Sequence, residues 1–315
     1  MHKSSHKGNE AGEGVDVRGP ERASDSGGAG VRIGVCEGGG EMWTPTWCSA
    51  AVMAFARHPL VFFAVLRVWN GVLGLVTSNP PFLNARAHFP GLVESLEAAS
   101  GKVLREYESL RLVEGAFASF EEAFGIGVNR WDKAQRGIAR GDPSRGPWPV
   151  AIIRVYGRIR RRIAGLCPVT EELLAPHPEV VSVLFSTLPP DKSLTAHRGP
   201  FRGVLRLHLP ILVPDERTCP QLARDQVPPA YLHCGGQTHT FQRGCCVLFD
   251  DMYVHKAVNP TTAPRTVLFM DVLRPPEAFS PWVRRLGLAR AFAAANASVA
   301  HFLGRSNAVA QVLLR

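Results

Sequence analysis

A chain of 315 residues, 45% of them hydrophobic, can bury a sizeable core in one large domain or two small ones. Its net charge of +9 and pI near 9.5 favour acidic partners. The sequence has no interleaved basic and aromatic pattern, and nucleic acid is not an expected partner. The seven cysteines (Cys36, Cys48, Cys167, Cys219, Cys234, Cys245 and Cys246) show neither zinc-type pairing nor a disulfide framework.

Residues 1–45 are rich in Gly, Ser and charge, lack an apolar period and are expected to be disordered. The start also lacks the apolar core of a signal peptide. Residues 46–78 form an apolar segment, densest over Leu60–Val76 and interrupted by Arg67. A central Arg costs roughly 2.5–3.5 kcal/mol on membrane-insertion scales. Three readings stay open: the segment lies in a membrane interface, spans the membrane, or packs on the domain. Localisation at a membrane is therefore an expectation only.

A domain is expected over 79–276. Asn79-Pro80-Pro81 ends the apolar segment, and Pro90 opens a helix. Leu92, Leu96, Val103, Tyr107 and Leu110 recur at helical spacing and predict a packing stripe. Arg136–Arg145 reads as a loop, and the β-branched run from Trp148 to Gly157 as an early strand. Later runs alternate apolar and polar residues between turn-rich segments, which predicts an antiparallel barrel. Residues 277–315 predict a basic amphipathic helix, with Trp282, Val283, Leu286, Ala289 and Phe292 interleaved by Arg284, Arg285 and Arg290.

The chemistry centres on His197, in His197-Arg198-Gly199-Pro200, and His255, 58 residues later. We read them as neighbours on two strands, meeting at one metal ion. A lone His in an apolar strand is more often a core or surface residue. Neutral imidazole suits iron(II), which non-haem oxygenases usually hold by two His and one carboxylate. That carboxylate normally sits two residues after the first His, where this chain has Gly199. In Leu205-Arg206-Leu207-His208 the period of two puts Arg206 and His208 on one face. Inside a barrel mouth, two basic groups require an anion, although Arg206 alone reads equally as a surface residue. Asp250 and Asp251 precede His255 and point to opposite faces of a regular strand. Asp251 then shares the face of His255 and is the candidate catalytic carboxylate, orienting a water at the metal.

The segments HRGPFRGVLRLHLPI, GCCVLFDDMYVHKAVN and RTVLFMDVLRP resemble the aspartyl/asparaginyl β-hydroxylase family of 2-oxoglutarate oxygenases, which includes lipid A acyl-chain hydroxylases. The resemblance covers roughly residues 80–276. It implies a mainly β, double-stranded β-helix (a cupin-like jelly roll) with flanking helices. It implies an iron(II)- and 2-oxoglutarate-dependent hydroxylase, with His197 and His255 as metal ligands. Ser186, Arg206, His208 and Arg265 match positions that hold 2-oxoglutarate, and Arg265 matches the partner of its far carboxylate. The peptide-hydroxylase branch also has Gly where Gly199 stands. This chain departs from the pattern at Phe241 and Arg243, and over Asp215–His233 its connection is longer. The expected substrate is an Asp or Asn side chain of a peptide or protein, with a lipid acyl chain as the alternative. The competing class is a barrel that binds metal or acid without turnover.

Overall fold

The computed structural model describes residues 59–124, 148–224 and 226–305. The expected disordered tail, the loop at 136–145, Cys36, Cys48 and residues 306–315 lie outside them. The first element is α1 (Pro59–Val76), followed by β1 (Phe82–Leu83), α2 (Pro90–Ala98), α3 (Ser100–Leu110) and β2 (Ala118–Ser119). Next come β3 (Pro149–Val155), β4 (Arg158–Ile159) and α4 (Pro168–Leu174). The barrel strands are β5 (Val180–Leu188), β6 (Lys192–Ser193), β7 (Val204–Leu212), β8 (Tyr231–Cys234), β9 (Gln237–Thr240), β10 (Val247–Phe249), β11 (His255–Asn259) and β12 (Arg265–Leu273). Two helices close the described chain, α5 (Pro281–Arg285) and α6 (Ala289–Gly304).

The strands form two sheets. An eight-stranded sheet runs β1-β10-β7-β12-β5-β3-β2, with β4 paired to β3; a four-stranded sheet runs β6-β11-β8-β9. All these pairings are antiparallel. From β5 to β12 the chain passes back and forth between the sheets, except at β8 and β9, which pair as a hairpin within the small sheet. This is the winding of a jelly roll, so the fold is the mainly β double-stranded β-helix expected, with helices on its flank.

The period of two assigns each face of the large sheet a separate task. On β12, Leu268, Met270 and Val272 turn outward onto Leu92, Leu96, Val103, Tyr107 and Leu110 of α2 and α3. These helix residues are the stripe predicted from spacing, and all are nearly fully buried. Each such side chain contributes roughly 1.5–3 kcal/mol by burial. The alternate residues of the same strands face the small sheet. There Val150, Ile152, Leu184, Leu188, Phe249 and Val267 pack against Leu232, Cys234, Phe241 and Ala257. Register puts Arg206 opposite Asp271, His208 opposite Phe269, and Ser186 opposite Val267, all on this inner face.

A third cluster joins the chain's two flanks. Phe62, Leu66, Leu73 and Val76 of α1 are buried with Phe201, Phe279, Val283, Ala300 and Leu303. Among the described residues no helix is long and apolar enough to cross a membrane. Residues 277–305 form two helices rather than one. Gly287, with φ +70°, turns the chain between α5 and α6. Cys245 and Cys246 precede β10. They are free thiols, as are Cys167, Cys219 and Cys234.

Candidate active site

His197 and His255 come together. Their backbones form an antiparallel bridge, with N–H···O distances of 3.0 and 2.9 Å, and their ring centroids lie 4.2 Å apart. Each ring is oriented by a carbonyl two residues before it: His197 Nδ1 lies 2.7 Å from Thr195 O, and His255 Nδ1 lies 3.0 Å from Tyr253 O. A carbonyl only accepts, so the proton sits on Nδ1 and leaves Nε2 with a bare lone pair. This is the tautomer a metal ligand needs, fixed before any ion arrives. Burial lowers the pKa of both rings; the His255 value falls to about 3, with His197 and Arg206 adding to the effect. Both are therefore neutral near pH 7.

Asp251 approaches from the turn between β10 and β11. It reaches inward, but by a different route from the strand period, because Tyr253 N–H bonds to Asp250 O and turns the chain. The Asp251 backbone carbonyl accepts from Gly199 N–H at 2.8 Å. A Cβ on Gly199 would lie 1.9 Å from Asp251 Oδ2. The carboxylate of Asp251 thus fills the space that a side chain at position 199 would occupy. Burial pushes its pKa up to about 7; Arg206 opposes this, and Asp271 and Asp250 reinforce it. Arg206 Nη2 lies 3.0 Å from Asp251 Oδ2 as an ion pair, yet neither Asp251 oxygen has an aligned hydrogen bond.

This geometry predicts the effect of one methyl group. Gly199→Ala should destabilise the fold by roughly 1–3 kcal/mol, the usual cost of overpacking. The loss should appear in thermal melts of the metal-free protein. Asp251→Gly in the same chain should recover part of it. A Gly199→Ala melt equal to wild type contradicts the contact.

The inner face of the large sheet supplies cations. Arg206 donates to Asp271 through Nε at 3.1 Å and Nη2 at 3.0 Å, and stacks 4.1 Å from the Phe269 centroid. It already has two carboxylate neighbours, so it is not the unpaired cation that sequence spacing implied. Asp271 was not among the candidates, although an acid in the apolar run of β12 was its signal. His208 and the Nε of Arg265 remain without a hydrogen-bond partner. Both ring nitrogens of His208 are buried without a partner among Phe241, Phe249 and Phe269. Burial, with Arg265 and Arg206 nearby, keeps the His208 pKa well below the usual histidine value. Arg265 is 2% exposed, lies over Phe241 and has no partner at Nε. Burial lowers its pKa to about 10, so it stays charged. No carboxylate pairs with it among the described residues. Ser186 accepts from Trp148 Nε1 at 2.9 Å and keeps its own proton to donate.

A model of the aspartyl/asparaginyl beta-hydroxylase family matches residues 98–275. The chain belongs to this family. It is similar to an ornithine lipid ester-linked acyl 2-hydroxylase of Rhizobium tropici, 34% identical over 227 residues, or 70% of this chain and 72% of that one. It is also similar to human aspartyl/asparaginyl beta-hydroxylase, 24% identical over 136 residues, or 42% of this chain and 16% of that one. A solved prolyl-4-hydroxylase of Pseudomonas putida aligns with a TM-score of 0.30 and 16% identity, over 67% of this chain and 99% of that one.

As a member of this family the chain is an enzyme, a hydroxylase of the 2-oxoglutarate-dependent class. Among the described residues no cluster of three or more His, Cys, Asp or Glu side chains is arranged to hold a metal. Two oriented imidazoles nevertheless fit a two-histidine iron site, and the unpartnered His208 and Arg265 fit an organic acid.

Three further residues escaped the sequence reading. Trp148 holds Ser186. Asp271 holds Arg206. Asn70 holds the loop after His197, donating from Nδ2 to Pro200 O and accepting at Oδ1 from Arg202 N–H, both at 2.8 Å. A polar residue inside the apolar run of α1 was the signal for Asn70.

Proposed function

We propose that this hydroxylase uses iron(II) and 2-oxoglutarate to hydroxylate a lipid acyl chain. The observation that carries the reading is the set of unpartnered groups turned into one barrel interior: two bare imidazole nitrogens, His208 and Arg265. In this reading His197 and His255 hold iron through Nε2. Arg265, with Ser186 and His208, holds the far carboxylate of 2-oxoglutarate. When bound, iron and 2-oxoglutarate supply the oxidation: dioxygen is consumed, the acid becomes succinate and carbon dioxide, and one oxygen atom enters a C–H bond of the substrate. The protein binds, orients and excludes water. Phe241, Phe249 and Phe269 keep the acid pocket apolar. That strengthens the hold of Arg265 on a carboxylate. Arg206, neutralised by Asp271 and Asp251, orients the Asp251 carboxylate.

The acyl-chain substrate is supported by the 34% identity to a lipid hydroxylase across most of both chains. Hydroxylation of an Asp or Asn side chain is the second reading, supported by the human relative. Mass spectrometry after incubation with each substrate class decides between them. A gain of one oxygen on an acyl chain is expected; a gain on a peptide Asp or Asn alone overturns the lipid reading.

Asp251 has a positioning role. It lies where the usual third ligand would project, and can accept a hydrogen bond from water at the metal. Asp251→Asn should lower kcat by on the order of 10–100-fold, as loss of supporting groups at metal sites does. Iron affinity should move by much less. An equal loss in both, or none in kcat, contradicts the assignment.

A further inference from the structure

We propose that the outward faces of α1 and the α5–α6 segment form a docking surface for an anionic lipid bilayer. The proposal rests on the acyl-chain reading for its purpose, but not for its observations. One face of α1 is buried in the protein, yet the opposite face is apolar as well, except for Arg67. Ala64, Arg67, Val68, Gly71 and Leu75 point outward at helical spacing. Val68 is 69% exposed and Leu75 78% exposed.

Where α1 ends, the second part of the surface begins. The N–H of Ser280 donates to Val76 O at 2.9 Å, so the start of α5 abuts the end of α1. Beyond this seam Trp282 is 49% exposed, Leu286 65% and Leu288 42%. Arg284, Arg285 and Arg290 are exposed between and beside them. Isolated exposed apolar residues are ordinary, but five large ones on adjoining elements mark an interaction surface.

Charge selects the partner. Residues 59–76 and 278–305 contain five arginines (Arg67, Arg284, Arg285, Arg290 and Arg305) and no Asp or Glu. A second copy of the chain would bring the same positive charge to the contact. Anionic headgroups complement it, while Trp282 and the leucines enter the acyl boundary. Basic residues near such a surface are drawn to its anionic lipids.

The surface is also tied to the site. Asn70 on α1 bonds both Pro200 and Arg202, only three and five residues after His197. The docking helix is therefore fixed to the loop that follows the first metal ligand. A barrel held on the bilayer this way meets acyl chains without extracting them into water.

Flotation of the full chain with vesicles tests the surface. We expect binding to phosphatidylcholine mixed with phosphatidylglycerol, weakened by salt, and little to phosphatidylcholine alone. Leu75→Asp, and Arg284→Glu with Arg285→Glu, should each weaken binding at least about tenfold while melting as wild type. His255→Ala should float as wild type does, since docking needs no iron. A folded wild type that ignores anionic vesicles, or variants that bind them undiminished, overturns the surface. Docking without acyl oxidation leaves the surface standing and removes the acyl-chain reading alone.

Discussion

His255→Ala abolishes iron(II) binding and succinate formation together, and His197→Ala does the same. Two imidazoles are all the protein ligation this reading gives the metal. Removing either leaves one neutral ligand, too few to hold an ion against water. The carbonyls of Thr195 and Tyr253 set both rings with Nε2 free. A variant that merely loosened the fold would lose activity while a folded fraction still bound metal. Iron titration by calorimetry on variants with wild-type melting curves separates the two cases. Wild-type iron affinity in either variant contradicts the two-histidine site.

Arg265→Ala raises the KM for 2-oxoglutarate by on the order of 100-fold, and leaves iron affinity nearly unchanged. A buried charge-assisted pair costs about 2–5 kcal/mol when one partner is truncated. The lower part of that range already gives the expected factor. Arg265 lies over Phe241, and no carboxylate among the described residues answers its charge, so the co-substrate's acid is its counter-ion in this account. Arg265→Lys restores only part of the affinity, because ammonium cannot present a planar pair of donors. Co-substrate titration against the iron-loaded variants reads the effect. An unchanged KM in Arg265→Ala rejects the pocket.

Much of the barrel was legible because its strands keep a strict period of two. Arg206 and His208 alternate with Leu205, Leu207 and Leu209. The structure turns the first set inward and the second onto the helices. The same logic read the stripe Leu92 to Leu110, since helical spacing needs no knowledge of what lies beneath it. Pairing across the fold was less legible. Nothing local says that Arg206 meets Asp271, because that contact depends on the register of β7 with β12. Asp251 reached the expected place by a turn, which the strand period does not describe. Residues 277–305 read as one helix because their apolar spacing runs past Gly287. The left-handed conformation at that glycine divides them. Asn70 was hidden in an apolar run, where a single polar residue carries little signal until its partners are known.

The central claim is that His197, His255 and Arg265 together support oxidation by iron(II) and 2-oxoglutarate. The most direct measurement is succinate released by the iron-loaded full chain with 2-oxoglutarate, dioxygen and lipid vesicles, beside His255→Ala and Arg265→Ala under the same conditions. The account predicts succinate from wild type, none from His255→Ala, and recovery for Arg265→Ala only at a far higher co-substrate concentration. Succinate formed equally by wild type and His255→Ala would contradict it, as would none from folded, iron-loaded wild type.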